Sequence, residues 1–169
     1  MIEDKSIEHL NYLSFKEIAS PLLTDKAIYI KYTSRGMEDL NIEVIGENRY
    51  AMAHNYVLNG DLMANPDIEL TVDNATEKLY PQTYQQDNLQ YYEVVNGDSI
   101  KSKNLSTFMS TWFYNIKEQG YRVDTIYTDE QEITDKNDIL RFCKEHEIEN
   151  MAPSINKGLE RWHVIQKNK

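Results

Sequence analysis

Residues 54–72, HNYVLNGDLMANPDIELTV, decide how the chain folds. Two runs of alternating apolar and polar residues flank a polar, turn-forming centre, which is the pattern of an antiparallel hairpin. Folding the stretch symmetrically about Leu62-Met63 sets Leu58 opposite Asp67, Tyr56 opposite Glu69 and His54 opposite Thr71. Ala53, Val57, Ile68, Leu70 and Val72 then share the face expected to meet the core, and His54, Tyr56, Glu69 and Thr71 share the reverse face. In this register Asn59-Gly60-Asp61 supplies turn geometry and Pro66 ends the loop.

The same period extends outward. Segments 26–33, 40–46, 49–58, 67–73, 78–85 and 89–95 are short, rich in β-branched and aromatic residues, and separated by turn residues, as an antiparallel meander requires. Asp87-Asn88 reads as a two-residue connection, which pairs Gln86 with Leu89, Tyr84 with Tyr91 and Gln82 with Glu93. On the N-terminal side, residues 6–20 carry a helical pattern with Ser6 as N-cap, Pro21 past the end, and Ile7, Leu10, Leu13 and Ile18 as the apolar side.

On the C-terminal side, residues 104–120 place Leu105, Phe108, Met109, Trp112, Phe113 and Ile116 on one broad stripe, with Asn104 and Gly120 at the ends. Residues 121–128 suit an added edge strand. Residues at about 135–147 suit a short helix, with Ile139, Phe142, Cys143 and His146 at helical spacing. The expected fold is α+β in a single domain: a meander of about five to six strands over 26–95, packed by a long helix at about 104–119. An N-terminal helix precedes it, and the helical layer continues to about 165, where a mildly basic tail frays.

Composition narrows the function. The 169 residues are 40% hydrophobic and carry a net charge of −10, unevenly spread. Residues 51–100 hold eight acids against Lys78 alone, so −7 of the total lies there. Such a surface repels phosphate backbones and disfavours direct nucleic-acid binding through this third; a basic protein is the natural partner. Neither an 18-residue apolar run nor a signal-peptide start occurs, which argues for a cytoplasmic protein with no membrane partner. One cysteine excludes an internal disulfide and a multi-cysteine zinc site. The common nucleotide-cradling, serine-hydrolase and zinc-protease motifs are absent.

Only His54, Asp61, Asp67 and Glu69 resemble a reaction centre. Asp61, Asp67 and Glu69 could share a divalent cation, with His54 as base or ligand, for metal-dependent phosphoryl transfer or nuclease chemistry. Solvated turn residues explain the same cluster without any cofactor, and the balance leans away from an enzyme. Cys143 and His146, one turn apart, sit on a stripe that reads as core. The alternative to catalysis is a protein-binding face built from Tyr56, Asp67, Glu69, Tyr84, Tyr91 and Glu93, where aromatic rings supply contact area and carboxylates steer a basic partner.

The stretch AHNYVLNGDLMANPDIELTVD, followed by PQTYQQDNLQYYEVV, resembles a bacterial and phage family catalogued as domain of unknown function 6908, and more distantly number 1249. Shared features are a strand entering NGDL, a PDxE strand, a TYQxD hairpin and a closing EV, within about residues 40–118. The resemblance implies a mobile-element setting and assigns no activity. With the acidic face, that setting suggests an accessory protein that binds a host or element-encoded protein, of the anti-CRISPR or anti-restriction type.

Overall fold

The computed structural model describes residues 4–23, 27–87, 91–129 and 131–145. Eight antiparallel strands form one sheet: β1 Ala27–Thr33, β2 Asp39–Gly46, β3 Arg49–Leu58, β4 Asp61–Asp73, β5 Lys78–Gln86, β6 Tyr91–Val94, β7 Arg122–Thr128 and β8 Glu132–Ile133. Their order is β6-β5-β4-β3-β2-β1-β7-β8. The meander runs outward from β1 to β6, and the chain then returns through a helix to lay β7 on the other side of β1. The α+β reading holds; β1 to β6 match the six segments of the meander, β7 is the strand expected at 121–128, and β8 is additional. Residues 121–128 form an interior strand rather than an edge, because β8 covers them.

The hairpin at the centre of the sequence turns three residues earlier than symmetry about Leu62-Met63 implies. Leu58 pairs with Asp61, so Asn59-Gly60 is the whole connection. Both residues have positive φ, 52° and 85°, as the tightest hairpin turns require. Asn-Gly accepts that backbone at little cost, so the turn goes there rather than to Leu62-Met63. Pro66 therefore lies inside β4, at a shift of register between Ala53 and Asn55, and closes no loop.

This register places Met52, Ile68 and Leu70 in the core, fully buried, each contributing roughly 1.5–3 kcal/mol of transfer free energy. Val57 is 70% exposed and joins no core. Ala53 is buried on the opposite face from Met52. The β5–β6 connection is also longer than a two-residue turn: Gln86 pairs with Tyr91 and Tyr84 with Glu93. Tyr84 thus stands opposite Glu93 in the register and stacks edge-on against Phe108 of the overlying helix.

Three helices lie on one face. Helix α1, Ile7–Ile18, starts at Ser6, whose hydroxyl accepts from the His9 N–H at 3.3 Å. Its inward side is Asn11, Tyr12, Phe15 and Ile18, while Leu10 and Leu13 are 50% and 44% exposed. The larger aromatic residues take the core side, and the Tyr12 hydroxyl keeps a polar partner by donating to Asn74 Oδ1 at 3.1 Å. Buried Asn11 donates to the Ser106 carbonyl at 2.9 Å and ties α1 to the next helix.

That helix, α2 (Ser99–Glu118), begins five residues before the apolar stripe. Asp98 rather than Asn104 caps it, accepting from the Ile100 and Lys101 N–H groups at 3.0 and 3.1 Å. Ile100, itself exposed, is the one apolar residue among Ser99–Asn104, so apolar periodicity could not reveal this start. Leu105, Met109, Trp112, Phe113 and Ile116 are buried as expected, whereas Phe108 sits at the margin. Helix α3, Lys136–Glu145, buries Ile139, Phe142 and Cys143. Burial pushes the Cys143 thiol up to about 11, which fits an inert core cysteine. His146 and the basic tail lie outside the described residues. No helix among those described is long and apolar enough to cross a membrane.

Candidate functional site

With α1, α2 and α3 on one side, the other side of the sheet carries no helix among the described residues. Strand alternation decides what it displays. Ile30, Ile42, Met52, Ile68 and Ile126 point to the core. Their neighbours Tyr29 and Lys31, Asn41 and Glu43, Ala51 and Ala53, Asp67 and Glu69, and Tyr127 therefore point away.

At the middle of this face lies a groove of about 380 Å³, lined by Tyr29, Lys31, Asp39, Asn41, Glu43, Ala51, Ala53, Asn55 and Asp67. Its floor is low because β3 contributes only methyl groups at Ala51 and Ala53, while β2 and β4 raise larger polar side chains on either side. The Tyr29 hydroxyl donates to Asn41 Oδ1, Asn41 Nδ2 donates to Asn55 Oδ1, and Asn55 Nδ2 donates to the Met63 carbonyl at 3.3 Å. This relay ties β1 to β4 across one end of the groove.

Charge on the face is unbalanced. Around the groove Asp39, Glu43, Asp67, Glu69, Asp124 and Glu132 supply six carboxylates, against Lys31 and Arg49; Arg122, opposite Thr33, and Lys78, opposite Asp73, stand on the same face at the strand ends. Lys31 Nζ lies 3.4 Å from Asp39 and 3.9 Å from Asp124, and Arg49 lies 3.6 Å from Glu69. Glu43 and Asp67 form no ion pair with any described residue. Burial, and then the charges of Glu69, Asp87 and Glu43, raise the Asp67 carboxyl above its ordinary value. Burial, Tyr127 and the carboxylates of Glu43, Asp39 and Asp124 push the Tyr29 phenol up to about 12.

The residues proposed for catalysis do not converge. Asp67 and Glu69 are on the open face. Asp61 begins β4 beside the turn and is exposed. His54 faces the helices, where Trp112 Nε1 donates to its Nε2 at 2.7 Å. Among the described residues no group of three or more His, Cys, Asp or Glu side chains is placed to hold a metal ion.

The residues proposed for binding also divide. Asp67 and Glu69 belong to the open face. Tyr84 and its partner Glu93 lie on the helix side, since Tyr84 pairs with Ile68 and meets Phe108. Tyr56 is half-buried beyond the register shift, and the Tyr91 side chain lies outside what is described. The tyrosines on the open face are others: Tyr29, packed edge-on against Tyr127 at 5.0 Å between ring centres, Tyr80, and Tyr92, which is 61% exposed.

Four of the six carboxylates come from outside residues 51–100. Asp39 and Glu43 join through β2–β3 pairing, while Asp124 and Glu132 depend on β7 pairing with β1, for which the sequence holds no local signal. Alternation within AIYIKYT would have placed Tyr29 and Lys31 outward had that neighbour been known.

A family model described as Domain of unknown function (DUF6908) matches residues 11–122, a longer span than the motifs alone suggested. No curated protein and no solved structure matches the chain.

Proposed function

The chain belongs to the DUF6908 family, and on that premise we propose that it is a non-enzymatic binding protein whose open sheet face receives a basic segment of another protein. One observation carries this reading. The alanine-floored groove sits in the middle of a face that carries no helix among the described residues, six carboxylates surround it against Lys31 and Arg49, and two of those carboxylates, Glu43 and Asp67, form no ion pair with any described residue.

Crowding like-charged carboxylates, with Asp67 half-buried and Glu43 exposed beside it, weakens a fold. A lysine- or arginine-bearing partner would recover that loss on binding and be steered by the field. Tyr29, Tyr80, Tyr92 and Tyr127 add contact area at low entropic cost. A surface of this kind imitates the charge of a nucleic-acid backbone. It suits a cytoplasmic accessory protein of a phage or other mobile element that occupies the nucleic-acid groove of a host defence protein.

The test is calorimetric titration with an arginine-rich peptide at low and high salt. Binding is expected to weaken steeply as salt rises. It should be lost on combining Glu43→Gln, Asp67→Asn and Glu69→Gln, but retained by the equally charged control Glu47→Gln, Glu118→Gln, Glu145→Gln. Equal loss in both triple variants would reduce the effect to net charge and refute the assignment to this face.

A further inference from the structure

His54 performs no role in the face described above, yet its surroundings are unusually specific. It sits at the register shift of the β3–β4 hairpin, where Ala53 pairs with Asp67 but Asn55 pairs with Ala64, so one residue of β3 faces two of β4. The extra residue lies on β4, so β3 keeps its alternation: Ala51, Ala53 and Asn55 line the open face, Met52 and His54 point the other way, and the imidazole is aimed at α2.

Trp112 Nε1 donates to His54 Nε2 at 2.7 Å, Tyr121 Oη lies 3.4 Å from His54 Nδ1, and the Tyr121 hydroxyl donates to the Glu38 carbonyl at 2.7 Å. An indole N–H can only donate and a carbonyl can only accept, so the chain has one polarity. Trp112 gives to Nε2, Nδ1–H gives to Tyr121, and Tyr121 gives to Glu38. The ring is thereby fixed as the neutral Nδ1–H tautomer.

We propose that His54 is a proton-operated latch: while neutral it fastens the outer half of the β3–β4 hairpin to α2, and on protonation it lets that half go. A second proton would set N–H against N–H across the Trp112 contact and abolish the bond. The titratable side chain facing His54 is Tyr121, after α2, while Glu38 and Asp39, at the start of β2, meet it through backbone groups only. From α2 it meets the uncharged Trp112. Burial holds the imidazole below its usual 6.5, and the carbonyls of Asp39 and Glu38 oppose that only in part.

On the same strand, Ala53 and Asn55 line the open-face groove. If the reading of that face is correct, opening the latch deforms one end of the binding site, so acid would regulate it. The latch itself does not depend on that reading.

Histidine-selective NMR on the full chain tests it without any partner. At pH 8 the His54 ring carbons and nitrogens should report the Nδ1–H tautomer. On acidification His54 should titrate with a midpoint below 6.5, and amides of residues 55–64 should exchange faster with solvent beyond the intrinsic effect of pH. Trp112→Phe should move the midpoint upward, and His54→Gln, which keeps an acceptor for Trp112, should remove the pH-dependent exchange. An Nε2–H tautomer, or accelerated exchange that survives His54→Gln, would overturn the proposal. If His54→Gln fails to fold, the tautomer and the Trp112→Phe midpoint still decide it. Loss of peptide binding alone would count against the open-face reading and leave the latch standing.

Discussion

Replacing Asp67 by asparagine should stabilise the protein at neutral pH. Asp67 and Glu69 are two residues apart on one face, about 6.6 Å along a strand. At that separation a pair of like charges costs on the order of 0.6 kcal/mol in water and about 2.5 kcal/mol at an effective dielectric near 20. Asp87 and Glu43 add to the repulsion, and burial removes part of the hydration that would offset it. The groove is open to water, so screening brings the sum down to roughly 1 kcal/mol. For a chain of this length that is about 2–4 °C in melting temperature.

The sign follows from linkage. The folded-state pKa of Asp67 is raised, so its favourable contribution exists below the unfolded value and is lost as pH climbs through the folded one. Thermal denaturation of wild type and Asp67→Asn between pH 3 and pH 8 should therefore give curves that separate as the carboxylate ionises, with the variant higher at pH 7. Salt should narrow the gap. A variant less stable than wild type at pH 7, or a difference that ignores pH, would refute the electrostatic account of the groove.

Other consequences are independent of charge. Gly60→Ala should cost about 1 kcal/mol by chemical denaturation, because φ is +85° and nothing lies within 4 Å of the added methyl, leaving backbone strain as the sole cause. Asp98→Ala removes the α2 cap and should cost about 1 kcal/mol. Asn11→Leu should cost about 1–3 kcal/mol through the lost bond to Ser106 and forced repacking between α1 and α2. Millimolar magnesium or manganese should leave the melting temperature unchanged; a rise abolished by Glu69→Gln would restore the metal-dependent reading.

How far the chain could be read in advance depends on the range of the physics involved. Strands β1 to β5 announce themselves because alternation is local, and the buried stripe of α2 does so for the same reason. Errors fall where a decision needed a neighbour. On α1, aliphatic count favoured Leu10 and Leu13, while the sheet selected Tyr12 and Phe15. In the central hairpin, symmetry was given more weight than Asn59-Gly60, whose tolerance of positive φ decides the turn. Without the register shift between β3 and β4, the inward Ile68 and Leu70 imply an outward His54, and the shift reverses that parity.

The face itself was half visible. Asp67 and Glu69 stand together in the sequence, but Asp39 and Glu43 join them only through β2–β3 and β3–β4 pairing, and Tyr29 and Asp124 only through the further pairing of β1 with β2 and with β7. The acidic middle third is not the face, since Asp73, Glu77 and Asp98 lie at turns and a helix start, and Glu93 lies on the helix side.

The central claim is that the open side of the sheet, rather than the helical side, meets a basic partner. Amide chemical-shift mapping during titration with an arginine-rich peptide tests this most directly. The expected result is a contiguous set of shifts over Tyr29, Asn41, Glu43, Ala51, Ala53 and Asp67, with α1 and α2 unmoved. Shifts confined to the helices, or a saturating titration that leaves the groove residues unchanged, would contradict it.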